Sequence, residues 1–68
     1  MGKNLAMKQA RAEKGLSQEA LAAAVGISRQ TINAIESGKF VPSTVLALKM
    51  AKIFGKSVED IFQLDDED

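Results

Sequence analysis

Arg29, Gln30 and Asn33 fall in the stretch SRQTINAIES, residues 28–37, on the polar side of a pattern set by Ile32 and Ile35. Glutamine can bind adenine bidentately through N6 and N7, and arginine suits the O6/N7 edge of guanine. Ala34 has no polar group and offers only contact with a thymine methyl. Gln30 is the stronger reader of bases, because its position opens the helix end that would point into a groove. Arg29 has a second reading as a phosphate contact or a solvated residue. Ser28 and Thr31 stand near the start of the same stretch and suit the nucleic-acid backbone. Ser17 and Gln18 begin another helix upstream, where free N–H groups and the positive end of the dipole favour an anion such as phosphate. Lys39 follows in a loop and reaches the other side of the groove, or is simply solvated. Phe40 beside it reads first as core or loop packing and second as a backbone contact.

These side chains need a scaffold, and the punctuation of the chain supplies one. Helices are expected over residues 4–14, 18–25, 29–37, 44–54 and 58–64, with no sustained strand alternation anywhere. Ser17, Ser28, Ser43 and Ser57 precede four of them as capping hydroxyls, and glycines 15, 26, 38 and 55 end the first four. Asp60 stands where a capping box places its acidic member. Phe40-Val41-Pro42 breaks the helical pattern, because proline has no N–H and restrains the residue before it. Inward positions are Met7, Ala10 and Arg11 on the first helix and Ala47, Met50, Ala51 and Phe54 on the fourth. Val58, Ile61 and Phe62 face inward from the fifth. Leu46, Leu48 and Ile53 remain once that stripe is filled; they are expected to complete the core, with a dimer surface as the alternative.

The strongest pattern is QEALAAAVGISRQTINAIES, residues 18–37. Two helices joined at a steep angle by a three- or four-residue turn need a small residue at their closest approach, here Ala22. They need a glycine free to take positive φ in the turn, here Gly26. Leu21, Val25, Ile27, Ile32 and Ile35 lock one helix onto the other. Small at the fifth position, glycine at the ninth and β-branched at the fifteenth make a helix-turn-helix unit.

Composition narrows the chemistry further. The 68 residues include neither cysteine nor histidine, so disulfides, thiolate metal sites and the usual neutral-pH general base are all absent. No HExxH, GxSxG or phosphate-cradling glycine loop occurs, and an enzyme is not expected. No cofactor and no metal are expected. The apolar runs are far below the roughly 18 residues of a membrane span. The mixed residues 1–8 do not resemble a secretory signal, and Ala6 breaks the myristoylation pattern; a cytoplasmic protein is expected. The net charge of zero hides an asymmetry: residues 1–58 hold nine bases against three acids, a net +6, and residues 59–68 hold the other six acids. A cationic body favours a polyanion. Residues 1–64 are expected to form one DNA-binding domain and residues 65–68 a disordered acidic tail.

The chain resembles the phage-repressor and Cro-like (Xre-like) helix-turn-helix domains over residues 4–64. The likeness lies in KGLSQEALAAAVGISRQTINAIESGKFVPS and LKMAKIFGKSVEDIF. Thr44 departs from it, since the family usually places an aliphatic residue after this serine. The resemblance implies an all-α, five-helix bundle of the lambda-repressor-like DNA-binding type, with helices 2 and 3 as the helix-turn-helix. It implies binding as a dimer to double-stranded operator DNA, usually to repress transcription, with the third helix in the major groove. One domain of this size covers a single half-site, so a homodimer on an inverted repeat is expected. The resemblance also implies that Arg11, an arginine among apolar neighbours, pairs with the inward Glu36. The alternative is a module of the same fold whose tail or last helix grips a small protein partner, as in an antitoxin.

Overall fold

A computed structural model describes residues 4–63. It holds five helices: α1 (Leu5–Glu13), α2 (Gln18–Val25), α3 (Arg29–Glu36), α4 (Thr44–Phe54) and α5 (Val58–Ile61). Each begins on a side chain that accepts a hydrogen bond from a backbone N–H of the first turn, where the helix itself provides no partner. Asn4 Oδ1 accepts from the Met7 N–H at 2.9 Å, and Ser17 Oγ from Ala20 at 3.0 Å. Ser28, Ser43 and Ser57 do the same for Thr31, Leu46 and Asp60, each at 3.2 Å. Asp60 completes a capping box by accepting the Ser57 N–H at 3.2 Å.

Four helix ends differ from the sequence expectation. Asn4, Lys14 and Ser37 lie outside their helices as caps, a shift of one residue each. The fifth helix is shorter than expected and stops at Ile61, because Phe62 turns extended at φ −118°, ψ 107°. Residue 64 and the tail at 65–68 lie outside the described residues.

The core joins all five helices. Met7 and Ala10 from α1 meet Leu21, Ala22 and Val25 from α2 and Ile32 and Ile35 from α3; Met50, Ala51, Phe54 and Ile61 complete it. Ile27, Leu46, Ile53, Val58 and Phe62 are partly buried against this cluster. Leu46 and Ile53, seven residues apart, flank the α4 stripe and join the core as expected. Leu48 does not: it is 56% exposed and lines an open apolar groove with Val41, Pro42, Ala47, Val58 and Phe62. The stripe at Ala47, Met50, Ala51 and Phe54 already fills the inward face, which leaves Leu48 on the outer flank. Phe40 is 49% exposed, so the core-packing reading of that residue does not hold.

Gly26 sets the angle between α2 and α3. It sits at φ +77°, ψ 33°, a left-handed conformation that a Cβ disfavours. From there the Ile27 N–H returns to the Ala22 carbonyl at 2.9 Å, closing α2 and redirecting the chain into the Ser28 cap. Ala22, 3% exposed, lets the two helices meet closely.

Candidate nucleic-acid interface

Helix α3 divides cleanly. Ile32, Ile35 and Glu36 are buried, whereas Arg29, Gln30 and Asn33 are exposed and Ala34 is partly so. The first two exposed residues occupy the N-terminal turn, so their side chains project from the helix end beside the turn. At the cap, Ser28 and Thr31 share a hydrogen bond between hydroxyls at 2.9 Å. Ser17 caps α2, and Lys39 lies exposed after Gly38 with Phe40 next to it. A helix with such a polar strip fits the roughly 12 Å width of a B-DNA major groove.

Behind the strip lies a polar network that crosses three helices. Arg11 on α1 donates from Nε to Glu36 Oε2 at 2.8 Å and from Nη2 to Glu36 Oε1 at 3.4 Å. Its third group, Nη1, donates to the Leu16 carbonyl at 2.8 Å. Side-chain exposures of 15% and 6% put the ion pair largely out of water. Gln18 of α2 joins it: Nε2 donates to Glu36 Oε1 at 3.2 Å and to Asn33 Oδ1 at 3.3 Å. The start of α1 is tied to the same place, since the Asn4 N–H donates to the Glu36 carbonyl at 2.9 Å.

The sequence assigns Gln18 to an anion-binding helix end and Asn33 to the base-reading face, with no link between them. The two are in direct contact, a cross-helix relation that no spacing along the chain reveals. Lys8 was also missed. It shares a shallow polar pocket with Gln18, Asn33, Glu36 and Ser37, which adds a cation at the rim of the strip. Its only sequence signal was membership in the basic body. Among the described residues, no carboxylate cluster is arranged to hold a metal ion, and no helix is long and apolar enough to cross a membrane.

The profile of the helix-turn-helix family matches residues 7–61. The chain is 51% identical over 61 residues to the uncharacterised HTH-type transcriptional regulator YgzD of Bacillus subtilis, covering 90% of this chain and 92% of that one. It is 53% identical over 62 residues to an uncharacterised HTH-type transcriptional regulator of Methanocaldococcus jannaschii, covering 91% and 94%. Among solved structures, the restriction-modification controller protein C.AhdI of Aeromonas hydrophila superposes with a TM-score of 0.75 at 33% identity. That match covers 84% of this chain and 86% of the other.

Proposed function

The chain belongs to the helix-turn-helix family of DNA-binding transcriptional regulators, and from that premise we propose that it is a repressor acting as a homodimer on an inverted-repeat operator. The observation that carries the reading is the division of α3 into a buried face of Ile32, Ile35 and Glu36 and an exposed face of Arg29, Gln30 and Asn33. The second face lies in the major groove. Arg29, Gln30, Asn33 and Ala34 meet base edges there, each by the chemistry its side chain allows.

Backbone phosphates are held around them by Ser17, Gln18, Ser28, Thr31, Lys39 and Phe40. For Gln18 this contact belongs to the main-chain N–H, because both side-chain N–H groups are already engaged by Glu36 and Asn33. Phe40 contributes its backbone N–H and an apolar surface rather than a charge. The protein works in the cytoplasm, where a bacterial or archaeal operator lies; relatives come from both kinds of organism.

One small domain spans a single half-site, so useful specificity needs two copies. The open groove around Leu48, with Val45 63% exposed beside it, supports self-association of this surface. Two α3 helices then enter successive major grooves about 34 Å apart. Selection of bound duplexes from a random library, followed by footprinting, tests the proposal. The expected result is an enriched inverted repeat with both halves protected; a footprint on one half-site at saturation, without symmetry, would count against it. Reporter expression from a promoter overlapping the selected site distinguishes repression from activation.

A further inference from the structure

We infer that Gln18 is a positioning residue that fixes which edge of the Asn33 amide faces DNA, so that Asn33 selects guanine over adenine. The inference rests on the proposed reading of bases by α3 and adds the direction of one hydrogen bond to it.

The argument begins at Glu36. Paired with Arg11 at 2.8 Å, its side chain is a carboxylate and only accepts hydrogen bonds. The Gln18 atom 3.2 Å from Glu36 Oε1 must therefore be the amide nitrogen, since two acceptors at that distance would repel. That same nitrogen lies 3.3 Å from the Asn33 side chain. If Asn33 turned its own NH2 there, two donors would face each other, so Asn33 presents Oδ1 to Gln18. The Asn33 NH2 is left on the other side of its amide, and Asn33 is exposed. A buried charge thus sets the polarity of a surface group through two hydrogen bonds.

The base preference follows from the edges. Guanine offers two adjacent acceptors, N7 and O6, in the major groove, both suited to an NH2 donor. Adenine sets its N6 donor beside N7, and reading it fully needs an amide oxygen as well as an amide nitrogen. The Asn33 oxygen is held towards Gln18. Cytosine offers only a donor and is rejected outright.

Selection from a random duplex library with the full chain and its variants tests this. Asn33→Ala locates the position that Asn33 reads, because preference disappears there. In the unmodified protein that position is guanine. Gln18→Met frees the amide and lowers the guanine-to-adenine ratio at that position by about tenfold, the scale of one base discrimination. Asn33→Asp presents an acceptor alone and moves the preference to cytosine, with weaker binding at every site. Thermal unfolding followed by circular dichroism checks each variant; should Gln18→Met not fold, Asn33→Asp on the exposed surface decides. Adenine at the Asn33-dependent position, an unchanged ratio in Gln18→Met, or guanine retained by Asn33→Asp would each overturn the inference while leaving DNA reading intact. Absence of any enriched motif with the unmodified protein would instead overturn the reading of bases by α3, and the inference with it.

Discussion

Arg11 and Glu36 stand 25 residues apart in sequence and 2.8 Å apart in space, joining the first helix to the inner face of the third. Each member has a further part-buried partner: the Leu16 carbonyl accepts from Arg11 and the Gln18 amide donates to Glu36. Removing one member leaves an uncompensated charge in a largely dry site. Arg11→Ala is therefore expected to lose about 2–4 kcal/mol, a little under the range for fully buried pairs because Arg11 keeps some contact with water. Replacing both partners together, Arg11→Met with Glu36→Leu, recovers much of that loss. Urea unfolding of the two single variants and the double variant measures the difference, and a double variant no better than the singles would refute it.

The positive φ of Gly26 leads to a second expectation. A Cβ built there meets nothing within 4 Å, so any cost of Gly26→Ala is conformational rather than a clash. That cost is about 1–2 kcal/mol for an L-residue held in the left-handed region. Gly26→Asn loses less, because asparagine tolerates this region better than alanine. Equal stability of the alanine and glycine proteins in denaturant titrations would show that the turn relaxes to negative φ.

Charge and base contacts separate by their response to salt. Gln30→Ala weakens operator binding by about 1–3 kcal/mol and relaxes preference at one position of each half-site. Lys39→Ala weakens binding to operator and random duplex alike, and it reduces the salt slope by about 1 for each phosphate that is no longer neutralised. Titrations at several salt concentrations distinguish the two. A selected motif unchanged by Gln30→Ala would mean that the reading face lies elsewhere.

Leu48 provides the test of assembly. Leu48→Glu puts an unpaired charge into the groove shared with Val41, Val58 and Phe62, and a surface that covers this groove has no counter-ion for it. Binding to the inverted repeat is expected to weaken by about tenfold or more, roughly 1.4 kcal/mol, with thermal stability nearly unchanged because Leu48 contributes little to the core. Sedimentation of the protein on half-site and full-site duplexes reads the stoichiometry directly. Two copies of Leu48→Glu on the full site at unchanged affinity would place the interface on another surface.

Much of the fold was legible because its signals are local. The Ser17, Ser28, Ser43 and Ser57 caps act within one turn of their own positions, and Gly26 acts through its own φ. The Ala47–Phe54 stripe is a periodicity, again a local property. Leu48 was misjudged because hydrophobicity states what a side chain prefers, not whether a neighbouring element arrives to cover it. The end of the fifth helix was overrun for a related reason: apolar spacing alone continues past Phe62, while the backbone has already turned extended. In the candidate site, exposure of Arg29 and Gln30 followed from helical phase. The Gln18–Asn33 contact depends on the crossing of two helices, and the place of Lys8 depends on a third. Neither leaves a trace in spacing.

Each helix of the bundle has between 4 and 11 residues, below the roughly 12–15 at which an isolated helix is even marginal in water. None of them persists alone, and α3 owes its shape to neighbours on every buried side. A single protease cut in the exposed Phe40–Val41 stretch would therefore separate α1–α3 from the Met50, Ala51, Phe54 and Ile61 side chains that complete their core. Reassembly is quick, because bundles built from neighbouring short helices fold in microseconds to milliseconds. For the proposed homodimer, the pairing of two chains is then the slower step, and it depends on concentration where folding does not.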